Sequence, residues 1–198
     1  MSARAARLAA LAVLTGLLLC GCAQRQLGDH MTNIAGLVEP LRFHMTDQDG
    51  RPVSAADYRG EVVLLYFGYT HCLDACPTTL ATLADAIARL GAQGQRVRVL
   101  FVTVDPRRDT VAVLKRYVND FGPQFVGLRG THAQLTRMIK RYRVSYHDEK
   151  PDASGAYEVD HSSAVFIFGR HGHARLLAQS GAPAAVLATD LRQLLAGT

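Results

Sequence analysis

Tyr66-Phe67-Gly68-Tyr69-Thr70-His71-Cys72-Leu73-Asp74-Ala75-Cys76-Pro77-Thr78-Thr79-Leu80 is the stretch on which the reading of this chain turns. An apolar run, Val62 to Phe67, enters it. A helical pattern leaves it, with Leu80, Leu83, Ala84, Ile87 and Leu90 spaced to share one face. Between them stand the only cysteines outside the extreme N-terminus. Pro77 suits the first helical position, where its missing N–H is no loss. It also disfavours the α region for the residue before it, which predicts Cys76 at the cap. Both sulfurs then lie near the unpaired N–H groups and positive dipole end of the helix. Such a place lowers a thiol pKa and raises the thiolate fraction available to a metal or to redox attack.

Outward from that stretch, the 198 residues suit one domain with an appendage, and 48% of them are apolar, enough for a sizeable core. The formal charge of +5 is modest, and the lysines and arginines are scattered among acids with no basic run or aromatic interleaving. Nucleic-acid binding is therefore a poor reading.

The N-terminus has its own grammar. Arg4 and Arg7 precede an apolar run from Leu8 to Leu19. That run is short for a membrane span of ~20 residues and right for a signal peptide. It ends in Leu19-Cys20-Gly21-Cys22, which resembles a bacterial lipobox with Cys22 as the lipidated residue. On this reading residues 1–21 are a lipoprotein-type signal peptide, 22–36 a membrane-proximal tether and 37–198 the functional domain. The protein is then anchored in the bacterial cell envelope, facing the periplasm or the outer side of the cytoplasmic membrane. An uncleaved anchor, or a plain signal peptide with incidental cysteines, is the alternative. Export sharpens the thiol question, because a close pair in an oxidising compartment tends to become a disulfide. A staple closing so short a loop removes little chain entropy, so a working pair is the better reading.

Phe43 to Val53 reads as a hairpin turning at Asp47-Gln48-Asp49-Gly50. Val62–Phe67 and Val97–Val104 lack alternation and read as strands buried on both faces. A helix is expected from Pro77 to about Leu90. Asp109 is expected to cap a second, from Thr110 to Phe121. A brief strand, Phe125 to Leu128, and a helix beginning at Thr131 follow. Val144 to Asp160, rich in charge, Gly, Pro and Ser, reads as one long loop. Ala164–Phe168 and Ala174–Ala178 form a hairpin, and Ala184–Leu195 is the closing helix. The sum is an α/β domain with a mixed central sheet flanked by helices and an added N-terminal hairpin. With thiols on the first strand-to-helix turn, that is the thioredoxin-like arrangement.

The cysteine stretch, Val104-Asp105-Pro106-Arg107-Arg108-Asp109-Thr110 and Tyr157-Glu158-Val159-Asp160-His161-Ser162 together resemble the Sco/SenC family of membrane-tethered copper-binding proteins of cytochrome c oxidase assembly. The resemblance runs in matching order from about Leu37 to the C-terminus. It implies a thioredoxin-like fold and copper, Cu(I) or Cu(II), held by Cys72, Cys76 and His161. One departure is Leu73, where the family commonly has proline after the first cysteine. The chemistry agrees, since two soft thiolates and an imidazole suit copper. Zinc would prefer four protein ligands in a structural site. Oxidation of the pair would abolish the site, coupling metal binding to thiol redox state. His161, between the long loop and a strand, is placed to swing in and out.

The resemblance implies a copper metallochaperone that loads the binuclear copper site of the oxidase subunit, with another periplasmic copper carrier as a candidate supplier. A thiol–disulfide oxidoreductase reducing that subunit's copper-ligand cysteines through Cys72 and Cys76 is the alternative. Against it, thioredoxins space their pair by two residues and face it with a cis-proline, and this chain spaces it by three. A glutathione-peroxidase-like enzyme needs a Trp, and there is none. Among the bland readings, Asp74 is a loop cap, Asp105 a turn residue and His71 a solvated histidine. His171-Gly172-His173 is a hairpin turn rather than a metal site.

Overall fold

A computed structural model describes residues 31–148, 159–161 and 163–197. The strands are β1 (Thr32–Asn33), β2 (His44–Asp47), β3 (Pro52–Ser54), β4 (Val62–Gly68), β5 (Val97–Thr103), β6 (Phe125–Arg129), β7 (Tyr146–Asp148), β8 (Val159–His161), β9 (Val165–Phe168) and β10 (Ala174–Ala178). The α-helices are α1 (Ala75–Ala88), α2 (Val111–Asn119), α3 (His132–Tyr142) and α4 (Ala184–Ala196).

All seven residues of β4 are buried. The strand lies between β5, parallel to it, and β9, antiparallel. Successive side chains feed opposite faces of the sheet. Val62, Leu64 and Tyr66 enter one core, Val63, Leu65 and Phe67 the other. Both faces are covered, so the run carries no polar alternation. The full sheet order is β1-β10-β9-β4-β5-β6-β2-β3.

One face is closed by α1, α2 and α4 through Leu80, Leu83, Ile87, Leu114, Val118 and Leu191. The other is closed by α3 and the segment leading into β2, through Leu135, Met138, Tyr142, Leu41 and Phe43. This is the thioredoxin-like fold, and the β2–β3 hairpin extends its sheet at one edge.

Helix starts follow side-chain capping. Thr131 accepts from the Gln134 N–H while Gln134 returns a bond to the Thr131 N–H, a complete capping box for α3. The α2 cap is Thr110, which accepts from Val113 N–H, and not Asp109 as the sequence predicts. The stretch read as one loop, Val144 to Asp160, instead contains the antiparallel pair β7–β8. Three-residue strands of mixed polarity leave no period-two signal to read. The folded body also takes in Met31 and Ile34, which are buried, while β1 pairs with β10. The sequence alone places these residues in the tether.

Candidate metal centre

β4 delivers the chain to the end of the sheet and Gly68 ends it. A Cβ at Gly68 would lie 2.7 Å from Phe101 Cε2 and 2.8 Å from Cys76 Sγ. The Cys76 sulfur therefore packs directly on the backbone of β4, and only glycine leaves it room. Glycine closing an apolar strand is a signal of such close approach.

Helix α1 begins at Ala75, two residues earlier than the sequence predicts. Pro77 thus sits third in the helix and Cys76 second, inside the helix and not at its cap. Proline is tolerated through this first turn because those N–H groups have no intrahelical acceptor anyway. Asp74 stands at the cap position but bonds none of the free amides. Its Oδ1 accepts from Thr78 Oγ1 at 3.4 Å. The acceptor is the Cys72 sulfur, which takes the Cys76 N–H at 3.3 Å. Cys72 therefore lies against the positive end of α1, as expected.

Cys76 behaves differently from the sequence expectation. It is 0% exposed, and burial pushes its thiol up to about 12, against opposing hydrogen bonds from the Tyr69 backbone and the Tyr66 hydroxyl. Tyr66 Oη donates to Cys76 Sγ at 3.6 Å. Desolvation outweighs the helix dipole here. Burial therefore favours the protonated thiol of Cys76 at neutral pH. Both cysteines are free thiols, Cys72 half-buried and touching both cores. Between them Leu73 is 92% exposed.

The outer half of the loop is held by a carboxylate that the sequence disguises. Asp109 is fully buried. It accepts Thr70 N–H at 3.1 Å, Thr70 Oγ1 at 2.6 Å and Thr103 Oγ1 at 2.6 Å. His71 Nδ1 lies 3.6 Å from the same carboxylate with its ring half exposed. Beside it Asp105 pairs with Arg108, whose guanidinium lies over the Tyr69 ring at 5.6 Å from its centroid. Asp105 keeps the turn role expected of it, whereas Asp109 ties the β5–α2 loop to the cysteine loop.

β8 ends at His161, paired with Tyr146. The chain then enters β9, whose Phe166 pairs with Leu65 in antiparallel register. Its backbone thus approaches the end of the sheet from which β4 leaves. The His161 side chain, Cys22 and residues 1–30 lie outside the described residues. Among the described residues no three His, Cys, Asp or Glu side chains form a metal-sized cluster. None of their helices is long and apolar enough to cross a membrane. His171-Gly172-His173 is the β9–β10 turn, closed by Gly169 N–H to His173 O and Gly172 N–H to Gly169 O.

The SCO1/SenC family model matches residues 37–196. The chain belongs to the SCO1/SenC family. It is 44% identical over 132 residues to the mitochondrial SCO2 homolog of Bos taurus, covering 66% of this chain and 50% of that protein. It thus spans about half the length of the curated relatives it matches. Among solved structures it is similar to copper-bound ScoI of Bradyrhizobium japonicum, with 33% identity and a TM-score of 0.72, over 78% of this chain and 98% of that one. BsSco, a member of the Sco family of cytochrome c oxidase assembly proteins, shares the fold at 23% identity and a TM-score of 0.63, over 81% of this chain and 98% of that one.

Proposed function

We propose that this SCO1/SenC protein is a copper metallochaperone, holding copper through Cys72, Cys76 and His161 and passing it to the copper-site subunit of cytochrome c oxidase. The observation that carries this reading is the thiol pair itself. One sulfur is buried and fixed while the other is half-buried at the end of the sheet, and two soft donors of that kind suit copper. The copper-bound relative supports the choice of metal. His161 supplies the imidazole, and transfer proceeds by exchange of thiolate and imidazole donors without covalent chemistry. Lipidated Cys22 holds the domain at the outer face of a bacterial membrane. A Cys22→Ser chain that remained with the membrane fraction would contradict that anchor.

The test of delivery is to mix the copper-loaded domain with the metal-free copper-site domain of an oxidase subunit and to assay metal after separation. Copper moves to the subunit if the reading is right, and copper retained by the donor overturns it. A second reading, reduction of that subunit's cysteines, is favoured by one observation. The half-buried Cys72 is placed to attack and the buried Cys76 to resolve, the asymmetry a dithiol reductant needs. Reduction of an oxidised subunit that persists in His161→Ala separates it from copper transfer.

A further inference from the structure

We propose that the sheet face opposite α1 carries a second binding site, a cleft for a phosphate-class anion, built by Arg42, His44, Arg137 and Arg141. Two adjoining cavities of about 310 and 390 Å³ share Arg42, Phe43, His44 and Arg141. Arg137 lines the first and Arg59 the second. These volumes lie at the lower end of the range usual for small-ligand pockets.

The walls are held firmly. Phe43 and Met138 are buried beneath the cleft. Arg42 N–H donates to Tyr142 Oη at 3.0 Å, which fixes the segment before β2 against the end of α3. The charge is poorly compensated. Arg137 and Arg141 stand four residues apart on α3, where like charges repel and weaken a helix. Glu39 is the one acid in the cleft lining, with Oε2 3.5 Å from Arg141 Nη1, and Asp57, engaged by Ser54, lies near His44. Among the described residues the guanidiniums of Arg42, Arg59 and Arg137 have no ion pair. Arg42, Arg137 and Arg141 line the first cavity with no carboxylate among its lining residues, and that excess of positive charge costs stability that a bound anion would return. Guanidinium forks match phosphate oxygens bidentately. A phosphate group offers three oxygens to donors converging from β2, its leading segment and α3, where a carboxylate offers two. The source is either an anionic phospholipid headgroup or a soluble phosphate compound, and the copper reading bears on neither.

The test uses the isotope-labelled domain from Ala23 onward, because the Bradyrhizobium relative stands as this domain alone, 98% of its chain being matched. It is titrated with inorganic phosphate and pyrophosphate at an ionic strength held constant with chloride, and amide shifts are followed. Saturable shifts confined to residues 42–44 and 134–141 are expected. Arg42→Gln/Arg137→Gln should weaken binding roughly tenfold or more, the loss of charge-assisted bonds. Arg116→Gln, an exposed arginine of α2, should bind as the parent does. Both cleft arginines are exposed, so the double variant should keep its dispersed spectrum. Vesicles of phosphatidylglycerol against phosphatidylcholine then assign the source. Sedimentation with the first, lost in the double variant, identifies a lipid headgroup, and phosphate binding without sedimentation identifies a soluble ligand. Shifts that chloride reproduces, that do not saturate, or that survive the double substitution would overturn the site.

Discussion

Gly68 and Cys76 are set in an apolar core, whereas Thr70 and His71, a few residues along the same loop, are anchored by polar contacts nearer the surface. The inner half is positioned by shape. Phe101 and Cys76 crowd the Gly68 backbone, and Tyr66 reaches the sulfur from β4. The outer half is positioned by one buried carboxylate, Asp109, which gathers Thr70 and Thr103. On the proposed function the contrast separates two duties: one thiol stays fixed, and the other is left within reach of a partner beside the exposed Leu73.

The comparison breaks most severely at Asp109. Asp109→Ala should lower unfolding free energy by about 3 kcal/mol, since it strands the Thr70 and Thr103 donors. Denaturant unfolding of the metal-free domain checks this, and a loss within error of zero would show that the carboxylate does not hold the loop. Gly68→Ala tests the inner half. Overpacking should cost about 2 kcal/mol. It should also push the Cys76 sulfur away and reduce copper retention, as metal analysis of the reduced variant would show. Full retention would mean the sulfur is not fixed by the strand. Leu73→Ser should leave stability unchanged within about 0.5 kcal/mol, as exposed substitutions do. It should nevertheless slow copper transfer to the oxidase subunit, and an unchanged transfer rate would remove Leu73 from the docking surface.

Much of this architecture is legible in the residues. Val62–Phe67 reads as a strand buried on both faces and Asp47–Gly50 as a hairpin turn, and the structure has both. The misreadings have physical causes. Asp109 and Thr110 are both able to cap α2, and nothing local reveals that Thr70, far away in sequence, claims the first of them. Dipole reasoning at a helix start predicts a lowered thiol pKa, but Cys76 is buried and desolvation wins. The Cys72 sulfur, and not the Asp74 side chain, accepts the helix amide at the cap, and the sequence does not flag it because sulfur is an unusual acceptor there. Gly68 carried a readable signal at the end of an apolar strand, and only the fold shows what approaches it. His161 is legible only through resemblance to a family motif, because residues that could meet in space at a metal need not keep a regular spacing in sequence.

Joint copper binding by Cys72, Cys76 and His161 is what the proposed function requires. It is tested most directly by loading the reduced domain from Ala23 onward with copper, then measuring stoichiometry, absorption and paramagnetic resonance spectra. One copper per chain is expected, with a thiolate-to-Cu(II) charge-transfer band that disappears in His161→Ala while both thiols remain titratable. Reduced thiols that take up no stoichiometric copper, or a His161→Ala variant with an unchanged band and affinity, would contradict it.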